Sequence, residues 1–269
     1  MTTRLDMLLC GAGVNFAQGD LALSGVYLIR STRPDGAEVR TIVDTGHVGM
    51  RRNILAALVR AGVRAEDVDF VALTHVHWDH VQNLDLFPNA RIVLAAAELE
   101  SIQGEAARDL VTPAWTKYLI GPRAMPVEPG EEAIPGVTIV DAAGHTPGSL
   151  AYAVTVEGRV AVITGDALPW AEVGRQQRSA LVFWNLERSQ DTIARLVEMA
   201  DVLYPGHDRP FRLVDGEIVY EAPFEMEMFG ADPSTPGLTY GPPPILATID
   251  LTDGEPVGPR WTKEELWPR

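Results

Sequence analysis

The run Thr74-His75-Val76-His77-Trp78-Asp79-His80 holds three of the chain's six histidines together with an aspartate. Side chains two apart on an extended segment point the same way, so a strand running to Thr74 would make His75 and His77 converge. A helix starting next would carry Asp79 and His80 in its first turn, aimed at the same point from another direction. Imidazole and carboxylate together suit a borderline divalent ion such as zinc. The plainer reading is a group of ordinary polar surface residues. Further candidates each follow an apolar run: His145 in AAGHTPGSL, Asp166 in VITGDAL and His207 in LYPGHD. Loops at strand ends are where a rigid sheet presents functional side chains, although a single polar loop residue is more often structural.

Those loops need strands to hold them. Short β-branched runs bounded by turn residues predict strands at 26–30, 40–44, 68–73, 90–95, 137–142, 150–156, 159–164 and 211–214. Helical periodicity predicts one helix over 50–61, with Ile54, Leu55, Leu58 and Val59 on a common face, and another over 187–200, with Ile193, Leu196, Val197 and Ala200 inward. Glu157-Gly158 reads as a hairpin turn between two strands, so part of the sheet is antiparallel and a pure Rossmann sheet is disfavoured. Segment 101–135 reads as an insertion over the sheet. The Pro-, Gly- and acid-rich stretch 223–269 reads as an arm on a catalytic domain of residues 1–222, packed on that domain or on the neighbouring subunit of a homodimer.

With 269 residues, 46% of them hydrophobic, the chain can bury a sizeable core. A net charge of -15 repels phosphate backbones and anionic lipid, which argues against nucleic acid or membrane as partner and leaves a small-molecule substrate. Arg51-Arg52 and the stretch Arg175 to Arg178 could bind a small anion, but solvated surface charge is the default. No run approaches the roughly 20 apolar residues of a membrane helix, and the single cysteine, Cys10, reads as a packing residue in a reducing compartment. A cytoplasmic location is therefore expected.

The HxHxDH run at 75–80, GHTPGS at 144–149, TGD at 164–166, PGH at 205–207 and IVDTG at 42–46 occur together in an order that resembles the metallo-β-lactamase-fold superfamily of metallohydrolases. The resemblance covers about residues 20–215. It implies an α/β fold, a four-layer αββα sandwich with mixed sheets, and a dinuclear metal site along one edge. His75, His77 and His145 would hold one metal, Asp79, His80 and His207 the other, and Asp166 would bridge them. Asp44 matches an aspartate that supports the site from outside; ending its strand is an equal alternative. His47 matches no ligand position and reads as a turn or helix-start residue.

Two divalent ions, zinc first with manganese, cobalt or iron as alternatives, would share a bridging hydroxide able to attack a carbonyl at neutral pH. Asp79 would orient that nucleophile or pass a proton to the leaving group, or else serve as a ligand only. Trp78, Trp115, Tyr118, Trp170, Phe183 and Trp184 are candidates for the pocket wall, each with core packing as its plainer role; Arg175 and Arg178 could receive a carboxylate. The arrangement looks like the lactonase branch, so opening of a small lactone or a related ester or amide is the leading reading. Acyl-homoserine lactonases place a tyrosine three residues after the bridging aspartate, where this chain has Pro169. A glyoxalase II-like thioesterase is the alternative among hydrolases, and a mononuclear iron persulfide dioxygenase or a binding protein without turnover the alternatives of other classes. A true β-lactamase is disfavoured, since Asp166 stands where many present a cysteine.

Overall fold

The computed structural model describes residues 3–16, 19–103, 111–223 and 249–250. Among them, two six-stranded mixed sheets form the body of the molecule. The first runs in spatial order Arg4–Leu9, Val26–Thr32, Glu38–Val43, Phe70–Ala72, Arg91–Ala95 and Ala124–Val127, antiparallel at its first two pairings and parallel at the next three. The second runs Glu217–Tyr220, Phe211–Val214, Val202–Pro205, Arg159–Gly165, Leu150–Val156 and Thr138–Asp141; here Arg159–Gly165 and Val202–Pro205 form the parallel pair.

Alternation along the strands sorts side chains into separate cores, because successive residues face opposite sides of a sheet. Val26 and Leu28 face outward onto the helix Arg51–Arg60, while Tyr27 and Ile29 face the second sheet. Ile92 and Leu94 against Val93 and Ala95 repeat the pattern. From the second sheet, Leu150, Tyr152 and Val154 fill the space between the sheets, whereas Ala151 and Ala153 face the helix Leu186–Met199, whose Ile193 and Leu196 are fully buried. Helix, sheet, sheet and helix thus stack as four layers, the architecture expected from the motifs. Both faces of each sheet are covered, so central strands read as nearly continuous apolar runs.

Several local expectations change. Leu55 and Val59 are exposed at 41% and 77%; the buried face of Arg51–Arg60 is Ile54, Ala57 and Leu58, an i, i+3, i+4 set. Segment 101–135 is not wholly an insertion, because Ala124–Val127 joins the first sheet as its edge strand, where Pro126 can sit without a ladder N–H to give. The hairpin at Glu157-Gly158 is present, with both residues at positive φ, as a two-residue turn of the primed kind requires. Of the arm 223–269, the pair Ile249–Asp250 runs parallel to Leu181–Val182; the rest, beyond Pro223, lies outside the described residues. No helix among the described residues is long and apolar enough to cross a membrane.

Candidate metal centre

The candidate residues stand on loops that leave C-terminal strand ends at one edge of the sandwich. Asp44 follows Glu38–Val43, the run 73–77 follows Phe70–Ala72, His145 follows Thr138–Asp141, Asp166 ends Arg159–Gly165, and His207 follows Val202–Pro205. Two buried tyrosines of the inter-sheet core tie this edge together: Tyr152 Oη donates to the Leu73 carbonyl at 2.7 Å and Tyr27 Oη to the Pro205 carbonyl at 3.2 Å. The strand before the histidine run ends at Ala72 rather than Thr74, and a single helical turn, Trp78–Val81, carries Asp79 and His80.

All seven candidate ligands meet. Ligand atoms of His75, His77 and His145 lie within 4.8 Å of one another, as do those of Asp79, His80, Asp166 and His207. Asp166 stands between the two groups. Its Oδ2 is 3.7 Å from His145 Nε2 and 4.0 Å from His75 Nε2, its Oδ1 is 3.4 Å from His80 Nε2, and His207 Nε2 lies 3.2 Å from both oxygens. Asp79 Oδ2 reaches His207 Nε2 at 3.2 Å and His80 Nε2 at 3.7 Å.

The outward nitrogens of four of these rings are engaged, which fixes their tautomers. His80 Nδ1 donates to Asp44 Oδ2 at 2.7 Å, His145 Nδ1 to the Leu181 carbonyl at 2.9 Å and His207 Nδ1 to the Leu23 carbonyl at 3.1 Å. Thr74 Oγ1 gives its own proton to Asp44 Oδ2 and so accepts from His75 Nδ1 at 3.0 Å. Each ring therefore turns Nε2 to the site, the orientation that outer partners impose on metal-binding histidines. His75 Nε2, His80 Nε2 and Asp166 Oδ1 are buried without a hydrogen-bond partner. Buried polar atoms are ordinarily satisfied, so these converging electron-rich atoms fit divalent cations.

The two groups differ in charge. Burial pushes the His75 imidazole well below its ordinary pKa, helped by His80 and His77; burial and then His77 bring His145 down to about 4. Burial acts the same way on His80 and His207, but carboxylates outweigh it. Asp79, Asp44 and Asp166 hold His80 well above the ordinary value, and Asp166 with Asp79 raises His207 to about 10. Burial would raise Asp79 and Asp166, yet the neighbouring imidazoles His80 and His207 leave both lowered. Without metal, His75 and His145 are thus held in the neutral form, while the other group holds imidazolium–carboxylate pairs.

Asp44 does more than end a strand. It sits at φ 56° and also accepts from the Thr74 backbone N–H at 2.8 Å, so it orients both His80 and the segment leading to His75. Gly206 of the PGH motif packs tightly on the site: a Cβ there would lie 2.0 Å from Asp166 Oδ1, so the carboxylate would have to shift. His47 caps the turn Val48–Met50 through Nδ1, which accepts from the Gly49 N–H at 2.9 Å. Phe183 packs its ring against His77 and His145, at 4.8 and 5.2 Å between centroids, and Trp78 packs on His47 at 5.5 Å. Trp115, Tyr118 and Trp184 are exposed. Arg175 is paired to Glu172 on its own helix and Arg51 to Asp85, so neither is a ready anion receptor. Pro169, at the departure from the lactonase pattern, offers its carbonyl to the His207 N–H at 2.8 Å. Sequence reasoning missed Glu98, a buried carboxylate whose Oε1 accepts from the Val76 N–H between two candidate ligands. An acid in the run AAELES was its one visible signal.

The family model described as the Metallo-beta-lactamase superfamily matches residues 23–207. Among curated proteins, the chain is 32% identical over 181 residues to Metallo-beta-lactamase domain-containing protein 1 of Xenopus laevis, covering 64% of this chain and 68% of that protein. It is 24% identical over 161 residues to an N-acyl homoserine lactonase of Bacillus cereus, covering 58% of this chain and 62% of that protein. The chain therefore spans about two thirds of the length of these relatives. Among solved structures, an N-acyl homoserine lactone hydrolase with N-hexanoyl-L-homoserine bound at its catalytic metal centre aligns with a TM-score of 0.60 at 20% identity, covering 77% of this chain and 94% of that one, a likeness of fold.

Proposed function

The chain belongs to the metallo-beta-lactamase superfamily, and from that premise we propose that it is a dinuclear metal-dependent hydrolase opening a small cyclic ester. The observation that carries this reading is Asp166, whose carboxylate stands between two groups of ligand atoms, with His75 and His145 near Oδ2, His80 near Oδ1 and His207 Nε2 at 3.2 Å from both oxygens. A carboxylate so placed suits two ions rather than one. His75, His77 and His145 would hold the first and Asp79, His80 and His207 the second, with zinc the best match to a nitrogen-rich donor set and manganese, cobalt or iron also compatible. When bound, such ions make water acidic enough to act as a nucleophile near neutral pH and polarise a carbonyl oxygen.

The chain's own groups supply the rest. Asp79 Oδ2, beside His207 Nε2, is the oxygen placed to take a proton from the attacking water and return it to the departing alkoxide as the ring opens. The Phe183 ring, against His77 and His145, gives that side of the site an apolar wall suited to a compact acyl group. The lactonase relatives support a lactone over a thioester, while Pro169 argues against an acyl-homoserine substrate specifically. The acidic surface favours a small-molecule partner, the lone cysteine fits a cytoplasmic location, and the arm after 222 is a candidate homodimer element.

Elemental analysis of untagged protein, paired with a pH-stat screen of lactones, tests the reading. About two zinc, manganese or cobalt per chain with acid release from a lactone is the expected result. A single iron with oxygen uptake on a persulfide would replace it with the dioxygenase assignment, and thioester cleavage without lactone opening would move the substrate to the glyoxalase II-like class.

A further inference from the structure

Glu98 lies in the helix Ala96–Gln103 and is 1% exposed, yet the chemistry above does not use it. Its Oε1 accepts from the Val76 N–H at 3.0 Å, between His75 and His77. Its Oε2 accepts from Thr146 Oγ1 at 2.9 Å and from the Gly148 N–H at 3.0 Å, just beyond His145. One carboxylate therefore joins two loops that come from different sheets and together carry the three-histidine group. The approach is close: a Cβ at Gly148 would lie 2.3 Å from the Glu98 backbone nitrogen, so only glycine lets this loop settle on the helix.

All three partners are donors, because Thr146 Oγ1 can take its own hydrogen bond from Ser149 Oγ at 2.7 Å. The position therefore needs a group that only accepts, which an ionised carboxylate is and a carboxamide is not. Whichever way a glutamine were turned, its NH2 would face a donor. Asp44 accepts directly from the His80 ring, whereas Glu98 acts on the three-histidine group through the residues flanking its ligands. We propose that Glu98 is a positioning residue for the ion held by His75, His77 and His145, fixing the distance between the two loops and thereby the affinity of that ion and not of its neighbour.

The inference rests on the two-ion reading of the site, and its test reads metal binding rather than turnover. Cobalt(II) titration of the full chain against a chromophoric chelator would resolve two binding steps, and His80→Ala identifies the step belonging to the Asp79, His80 and His207 group. In Glu98→Gln the other step should weaken about 10- to 100-fold, with a changed cobalt visible spectrum, while the His80 step stays within about threefold. Thr146→Val keeps the carboxylate but withdraws one donor; it should weaken the same step by a smaller factor, and it decides the matter if Glu98→Gln does not fold. Unchanged affinity of the three-histidine step, or equal weakening of both steps in a variant with native circular dichroism, would overturn the proposal. A wild-type chain that binds fewer than two ions would overturn the two-ion reading, and this inference with it.

Discussion

Replacing Asp44 by asparagine separates what its charge does from what its backbone does. Asparagine tolerates the left-handed region, so Asp44→Asn can keep φ near 56° without strain. The carboxylate accepts from the Thr74 N–H, Thr74 Oγ1 and His80 Nδ1, all buried, and an amide cannot accept from both sides. One charge-assisted bond is lost, at about 1.5–3 kcal/mol, and one buried donor goes unsatisfied, at about 1–3 kcal/mol, so the sum is about 2.5–6 kcal/mol. Asp44→Ala removes every acceptor, leaving all three donors without this partner, and adds about 1–2 kcal/mol for holding alanine in a left-handed conformation, so it should be the worse variant. Urea unfolding of metal-free protein in the presence of a chelator reads both differences as shifts in the free energy extrapolated to water. Two results would refute the reasoning: an asparagine variant within about 0.5 kcal/mol of wild type, or alanine no worse than asparagine. The first would deny that the network holds the edge of the sandwich, the second that the acceptor kept by asparagine and its tolerance of the left-handed backbone matter there.

Metal-free protein should be most stable near the ordinary imidazole pKa of 6.5. His207, raised to about 10 with His80 shifted the same way, contributes stability present below 6.5 and lost as pH rises toward 10; His145, lowered to about 4 with His75, costs stability as pH falls from 6.5 toward 4. A urea midpoint that varies monotonically with pH across that range would contradict the assignment. Loading two ions at pH 7 should release about two protons from His80 and His207, plus up to about one from ionisation of metal-bound water, measurable in weakly buffered solution with an indicator dye. Gly206→Ala should lose most of its metal, because the added methyl needs the space of Asp166 Oδ1; chelator competition checks this, and full occupancy would show that the carboxylate can move. Cys10, its pKa raised to about 11 by burial and then by Asp208, should react with iodoacetamide at pH 8 about 100-fold more slowly than a thiol of pKa 9.0, and regain the ordinary rate in urea.

Much of the centre was legible in the sequence because ligation restricts residue type at short spacing. Three histidines and an aspartate in one run, with His145, Asp166 and His207 after separate apolar runs, make up a full donor set for cations, and the structure brings all seven together. The strands holding them were legible through β-branched alternation, and the turn at Glu157-Gly158 through its glycine. What failed depended on neighbours. Leu55 and Val59 satisfy a helical period as well as Ile54 and Leu58 do, and only the sheet beneath decides which face is covered. Ala124–Val127 carries a proline and little strand signal; its pairing with Arg91–Ala95 makes it a strand.

The amino-acid order by itself determined which atoms could bind a cation and on which loops they stand, since donor chemistry belongs to the side chain. Only the tertiary structure decided that Asp166 stands between the two groups, that Asp44 meets the His80 ring while Glu98 ties the loops of the three-histidine group, and that the backbone at 148 is pressed against the helix bearing Glu98. Glu98 lies 22 residues from Val76 and 50 from Gly148, and Asp44 lies 36 from His80. No local pattern encodes such contacts, because they exist only once two sheets have closed on a common core and brought their loops to the same edge.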